Sequence, residues 1–257
     1  MAPARRRMVL GAVGLVALAV VGAVAAVVLD RVATDGRADQ TALGPVLVVP
    51  GYGGQVSSVE PLAEAVRSTG RDVTVVRPAD GGTGDLVAQA QALDDVARDA
   101  MERAGASTVD VIGYSAGGVV ARLWVDREGG AGIARRVVSI GSPQHGTDVA
   151  ALALEVAGSC PLACEQLAPD SDLLRVLNAG DETPDGPQWV TVSSTGDNVV
   201  TPTDSARLEG ALNVVVQEFC PDRTTGHGAL PADPVTLETL TTSLGPAEPR
   251  IPVGVVC

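Results

Sequence analysis

The stretch of this chain best suited to chemistry is Gly113-Tyr114-Ser115-Ala116-Gly117-Gly118, directly after the run Val109-Asp110-Val111-Ile112. It reads G-x-S-x-G. A serine used as a nucleophile must project its hydroxyl from a sharp, strained turn between strand and helix. Side chains two residues before and after it would collide across that turn, so Gly113 and Gly117 suit those positions. Gly, Ser and Ala are abundant here, so the motif takes its weight from the strand before it and the helix after it. That helix, over about residues 118–127, would aim its first N–H groups at the oxygen that becomes negative in acyl transfer.

A serine hydroxyl is a poor nucleophile at neutral pH, so Ser115 needs a base. The chain has two histidines. His227 lies in Thr225-Gly226-His227-Gly228, and His145 in Gly141-Ser142-Pro143-Gln144-His145-Gly146-Thr147. Such a base needs an acid that holds its tautomer and stabilises its charged form. Asp197, in Ser194-Thr195-Gly196-Asp197-Asn198, is the candidate. Its rivals are Asp148 and Asp204, the latter also a possible helix cap near Ser205. The tetrahedral intermediate needs two backbone donors. Ala116, the residue after the nucleophile, supplies one, and Tyr52 in Pro50-Gly51-Tyr52-Gly53-Gly54 supplies the other. A phosphate-binding role for this glycine-rich loop is disfavoured, because no lysine follows it and the G-x-G-x-x-G spacing is absent.

These residues must be held by a scaffold, and the chain alternates strand and helix signals. Short apolar runs at residues 46–49, 72–77, 109–112, 136–140, 189–193 and 212–218 read as strands buried in a parallel sheet. Between them, residues 59–68, 86–104, 118–127, 149–157, 172–177 and 234–244 read as helices. In the 86–104 segment, Leu86, Ala90, Leu93, Ala97, Met101 and Ala104 form one apolar stripe. Strands alternating with helices imply an α/β domain whose mostly parallel sheet, of about six strands, is covered on both faces. In such sheets functional groups gather at the carboxyl ends of the strands. Ser115, Asp197, His227 and the loop from Pro50 to Gly54 all follow strands.

The whole chain sets the compartment and the partners. It has 257 residues, enough for one sizeable core. The net charge is −13. Arg5, Arg6 and Arg7 precede residue 30 and no acid does, so the remainder holds 15 Arg against 31 acids, or −16. That surface argues against nucleic acid and against docking on anionic lipid by charge. The arginines precede an uncharged apolar stretch over residues 8–29, long enough to cross a bilayer core of roughly 30 Å. Its length favours a retained N-terminal anchor. Ala23-Val24-Ala25 and Arg6-Arg7-Met8-Val9-Leu10 keep a cleaved or twin-arginine signal open. Both readings leave the arginines in the cytoplasm and the domain outside. Residues 30–44 read as a linker, and residues 45–257 as the domain. Four cysteines suit an oxidising compartment. Local pairing, Cys160 with Cys164 and Cys220 with Cys257, is the choice among three connectivities; the second bridge would staple the tail back onto the sheet. No histidine stands at ligand spacing from Cys160 and Cys164, which disfavours a metal there. No cofactor is called for.

The combined segments resemble the small bacterial lipase and esterase branch of the α/β-hydrolase family. They are Val48–Gly54, Gly113–Gly118 with Val119-Val120-Ala121-Arg122 after it, Gly141–Thr147, Gly196-Asp197-Asn198-Val199-Val200-Thr201-Pro202 and Gly226-His227-Gly228. The resemblance spans residues 45–244 and implies a serine hydrolase without fixing its substrate. The order Ser115, Asp197, His227 is that of α/β-hydrolases, which selects His227 as base and leaves His145 a structural residue beneath the site. Many relatives begin the oxyanion loop with His-Gly, where this chain has Pro50-Gly51; the backbone donor survives the change. By analogy with lipases, residues 148–187 would form a short cap stiffened by the Cys160–Cys164 loop. The expectation is a monomeric ester hydrolase acting on small-molecule or lipid esters with apolar acyl groups. An acyltransferase on envelope lipid or glycan, and a non-catalytic binding domain of the same fold, are the alternatives.

Overall fold

In the computed structural model, the described residues are 37–257. The basic and apolar leader and most of the linker lie outside them. Six strands form one sheet in the order β2-β1-β3-β4-β5-β6, and every neighbouring pair is parallel. The strands are β1 (Val46–Val49), β2 (Val73–Val75), β3 (Val109–Tyr114), β4 (Ala134–Ile140), β5 (Gln188–Ser193) and β6 (Leu212–Val215). The expected α/β architecture is therefore present. Successive side chains of a strand face opposite sides of the sheet. Leu47, Val49, Val111, Val137 and Trp189 enter one core layer. Val46, Val48, Ile112, Val138 and Val190 enter the other. Both layers are needed because helices cover both faces.

The helices are α1 (Glu60–Arg67), α2 (Leu86–Ala104), α3 (Ala116–Arg127), α4 (Asp148–Ala157), α5 (Leu162–Gln166), α6 (Asp172–Leu177), α7 (Val216–Phe219) and α8 (Pro234–Ser243). α2 and α3 pack on the first layer, and α1 and α8 on the second. The α2 bounds match the periodicity. Asp85 caps it by accepting from the Val87 amide, and Gly105, in the left-handed region at φ 61°, ends it. Its buried stripe is Leu86, Ala90, Leu93, Ala97 and then Ala100, so Ala104, expected on the stripe, is exposed. A straight 3.6-residue helix carries the stripe around by the last turn.

The run expected as one strand over 212–218 divides. Val215 pairs with Ser193, the last residue of β5, so no ladder remains beyond it. The chain turns into α7, from which the Gln217 carboxamide accepts from the Thr195 amide at 2.9 Å and donates to the Arg223 carbonyl at 3.0 Å. The edge strand β2 is likewise shorter than expected, three residues paired to Val46, Leu47 and Val48.

At the amino end of the sheet lies a charge cluster that the apolar reading of 109–112 hid. Asp110 is fully buried, and its carboxylate accepts from Arg71 at 2.8 Å and from Arg135 at 3.0 and 2.5 Å. Arg135 also donates to the Leu244 and Gly245 carbonyls just past α8. The four cysteines are joined as Cys160–Cys164 and Cys220–Cys257. Among the described residues no helix is long and apolar enough to cross a membrane.

Candidate active site

Ser115 stands at the carboxyl end of β3, at the centre of the sheet. Its backbone has φ 54° and ψ −128°, a conformation most L-residues avoid. The surroundings over-determine it. The Ser115 amide donates to the Ile140 carbonyl of β4 at 2.8 Å. A Cβ on Gly113 would lie 2.4 Å from the Gly118 Cα, a collision across the turn. Gly117 is small for a different reason than expected: its Cβ would lie 2.3 Å from the Val49 carbonyl, against the loop after β1. Gly118 lets α3 approach β4 and the loop after it, since its Cβ would lie 2.6 Å from the Ser139 hydroxyl of β4 and 2.1 Å from that of Ser142.

Three sequence-predicted side chains meet at this point. The Ser115 hydroxyl lies 3.0 Å from His227 Nε2, and His227 Nδ1 lies 2.8 Å from Asp197 Oδ2. With Nδ1–H donating to the carboxylate, Nε2 is left to accept from the serine hydroxyl. Asp197 follows β5 and His227 follows α7, and the two loops are fastened together. The Ser194 hydroxyl donates to the Thr225 carbonyl at 2.6 Å, and a Cβ on Gly196 would lie 2.9 Å from that same oxygen. Asp197 Oδ1 accepts from the Val199 and Val200 amides at 2.8 and 2.9 Å. Burial pushes the Asp197 carboxyl up, but the His227 hydrogen bond and the two amides outweigh it and hold the group below its usual range. The acid is thus an anion at neutral pH, facing the imidazole.

The rivals stand elsewhere. His145 Nε2 lies 2.6 Å from the Glu182 carboxylate, and its Nδ1 donates to the Ser205 carbonyl at 3.2 Å. Its ring is about a third exposed, so it is a surface contact and not a residue beneath the site. Asp204 sits inside a short turn, Thr203–Ala206, that Pro202 begins; no side chain caps it. Asp148 is the first residue of α4, and Thr147 caps that helix.

Two residues at the site carried no separate expectation. The Tyr114 ring stacks on His227 with centroids 5.1 Å apart, and its hydroxyl donates to the His227 carbonyl at 3.1 Å. Burial first, and the Asp197 charge second, push the Tyr114 phenol up to about 12, so it remains a donor through the neutral range. Gly141, at φ 52°, lies behind the Asp197–His227 pair; its Cβ would stand 2.6 Å from a Leu230 methyl and 3.4 Å from His227 Nδ1. An aromatic next to the serine was a signal of nearness in the sequence, though not of its stack on His227. Gly141 gave none, because its crowding comes from Leu230 in a distant loop.

The loop after β1 closes on the nucleophile from the other side. A Cβ on Gly51 would lie 2.7 Å from the Ser115 Cβ, so the backbone entering Tyr52 runs directly past the serine. Ala116 is the first residue of α3, where an amide has no partner within the helix. In front of Ser115 opens a mostly apolar cavity of about 340 Å³, reaching Tyr52, Val149, Ala153, Leu167 and the Cys160–Cys164 pair. Among the described residues no group of three or more His, Cys, Asp and Glu is placed to hold a metal ion. The arrangement can activate a hydroxyl, stabilise an adjacent oxyanion and receive an apolar chain.

Comparison with known proteins adds a family and a fold. The profile of the family described as palmitoyl protein thioesterase matches residues 45–174. No curated protein matches. Among solved structures, Aspergillus fumigatus lipase B is 19% identical with a TM-score of 0.72, over 82% of this chain and 56% of that one. The chain therefore spans little more than half of that lipase. The Bacillus licheniformis lipase BlEst2 in mature form is 18% identical with a TM-score of 0.66, over 81% of this chain and 94% of that one. These likenesses show the fold.

Proposed function

The chain belongs to the palmitoyl protein thioesterase family of α/β-hydrolases, and we propose that it is a serine carboxylic-ester hydrolase acting on apolar acyl esters outside the cytoplasm. The observation that carries this reading is the unbroken hydrogen-bonded line from the Ser115 hydroxyl through His227 to Asp197, opening on an apolar cavity.

The chemistry runs in two halves. Ser115 Oγ attacks the ester carbonyl while His227 Nε2 takes its proton. The developing imidazolium is stabilised by the Asp197 carboxylate and held in register by the Tyr114 stack. The carbonyl oxygen, now negative, is received by the Tyr52 and Ala116 amides, aided by the N-terminus of α3. His227 returns the proton to the departing alcohol, leaving an acyl group on Ser115. Water then attacks the acyl-enzyme with His227 again as base, releasing the acid and restoring the serine.

A second leaving group is favoured by the family match. A thiol is far more acidic than an alcohol, so a thioester needs less help from His227 in expelling its leaving group. The same acyl-enzyme serves both substrates. Two disulfides support an extracytoplasmic compartment. Residues 8–29 would anchor the domain to the membrane, or be removed to release it. The α4–α6 region, residues 148–187, serves as a cap beside the cavity.

Hydrolysis of a ladder of p-nitrophenyl esters and matching acyl thioesters tests the reading. Wild-type protein should turn over both, and Ser115→Ala should lose activity by about 10⁴-fold or more. On ethyl esters of the same acids, whose alcohol needs the proton that His227 returns, His227→Ala should lose more activity than on the thioesters. Undiminished turnover in Ser115→Ala would overturn the assignment.

A further inference from the structure

His227 lies on a stretch that borders solvent. Between the buried Thr225 and the buried Leu230, Gly226 and His227 are half-buried and Gly228 and Ala229 are exposed. The glycines on either side of the histidine are loosely surrounded. A Cβ on Gly226 would come no nearer than 3.9 Å to the Gly196 carbonyl, and one on Gly228 would meet nothing within 4 Å. Glycine backbone is the most permissive in the chain, so what holds this stretch must act at its ends.

Thr225, at the upstream end, is held from two sides. Its carbonyl accepts from the Ser194 hydroxyl, on the Asp197 loop, at 2.6 Å, and its own hydroxyl donates to Asp233 Oδ2 at 2.6 Å. Asp233 is 2% exposed. Its Oδ1 caps α8 by accepting from the Val235 amide at 2.9 Å. A cap needs only that oxygen, and on most helices the second faces water. Here Oδ2 is buried against the histidine loop instead, where it takes both the Thr225 hydroxyl and Arg223 Nε, the latter at 3.0 Å. Arg223 donates in turn to the Cys257 carbonyl at 2.9 Å, and Cys257 is bonded to Cys220. One carboxylate thus gathers the base of the loop that carries His227.

We propose that Asp233 is a positioning residue for His227: through the Thr225 hydroxyl it fixes the stretch that holds the imidazole within reach of the Ser115 hydroxyl. This rests on the reading of Ser115 and His227 as nucleophile and base. Proton transfer needs the base within hydrogen-bond distance, and a displacement of about 1 Å can cost about 10²-fold in rate. Without the Asp233 bond, Thr225 keeps one tie, to Ser194, about which the stretch can turn.

The test is hydrolysis of p-nitrophenyl butyrate by the full-length protein. Thr225→Val keeps the shape of the side chain and removes its hydroxyl, while Asp233 retains Arg223 and the Val235 amide as partners. This variant should lower kcat about tenfold or more with KM changed by less than about twofold. Thr225→Ser, which restores the hydroxyl, should return kcat to near the wild-type value. Asp233→Ser still caps α8 but is too short to reach Thr225. It should behave like Thr225→Val, and it carries the test if that variant does not fold. In a His227→Ala background, Thr225→Val should lower kcat no further. A fall in Tm with kcat unchanged would overturn the proposal, and so would an equal loss of kcat with and without His227. A wild-type protein that hydrolyses no ester and no thioester would instead refute the hydrolase reading on which the proposal stands.

Discussion

Asp197 divides its two carboxylate oxygens between tasks. Oδ1 is tied to the Val199 and Val200 amides, and Oδ2 faces His227. A carboxamide at this position keeps the shape but loses the charge, and it can present an N–H where the imidazole needs an acceptor. Asp197→Asn should therefore lower kcat by about 10⁴-fold while leaving the protein folded. The same residue makes a prediction about pH. Its folded pKa lies below that of an ordinary carboxyl, so its ionised form contributes stability that is complete above the ordinary value of about 4. The contribution is lost as pH falls through the lower, folded pKa. The gap in Tm between wild type and Asp197→Asn should be full at neutral pH and should narrow below about pH 4. A gap that stays constant into acid would show that the carboxylate is not held by these bonds. The type and chain order of Ser115, Asp197 and His227 were legible, because few other residues in the chain could take those roles. The Tyr114 stack was not, since which face of His227 it covers depends on how the loop before α8 lies over β3.

At the scale of elements, the elbow is a set of three glycines, each small for its own partner. Gly113 faces the start of α3 across the turn, Gly117 faces the β1 loop, and Gly118 faces β4. Gly113→Ala should force these segments apart and destabilise the domain by about 3 kcal/mol. For a domain of this size that is a fall in Tm of roughly 5–10 °C, readable by calorimetry. Wild-type Tm in that variant would show that the turn has room that the structure denies it. Elements with an intrinsic period were legible: α2 carries its cap, its stripe and its terminal glycine in its own sequence. The end of β6 was not legible, because Val216 and its neighbours are as apolar as the strand before them. What stops the strand is the end of β5 at Ser193, a fact about a partner. The crowding that requires Gly118 is likewise supplied by Ser142, from another loop.

The molecule as a whole separates its chemistry from its support. The carboxyl ends of the strands carry Ser115, Asp197 and His227. The amino ends carry Asp110 with Arg71 and Arg135, which gathers the carbonyls after α8. Removing the acid strands two guanidinium groups that burial keeps from water. Asp110→Ala should then cost about 3–5 kcal/mol, on the order of 10 °C in Tm. It should do so without changing the acyl-chain profile of the protein that remains folded; a changed profile would tie the two ends of the sheet together. Nothing in the run Val109-Asp110-Val111-Ile112 announces this cluster. Its arginines come from the residues before β2 and from β4, where a shift of register between Val109 and Asp110 places Arg135 between the two paired positions.

The central claim is that Ser115 is an activated nucleophile. Its most direct measurement is the intact mass of the purified protein after exposure to a fluorophosphonate, beside Ser115→Ala and His227→Ala. The geometry predicts one adduct on the wild type, none on Ser115→Ala and much slower labelling of His227→Ala. A folded wild-type protein that takes up no label, or a Ser115→Ala protein that labels as fast as the wild type, would contradict it.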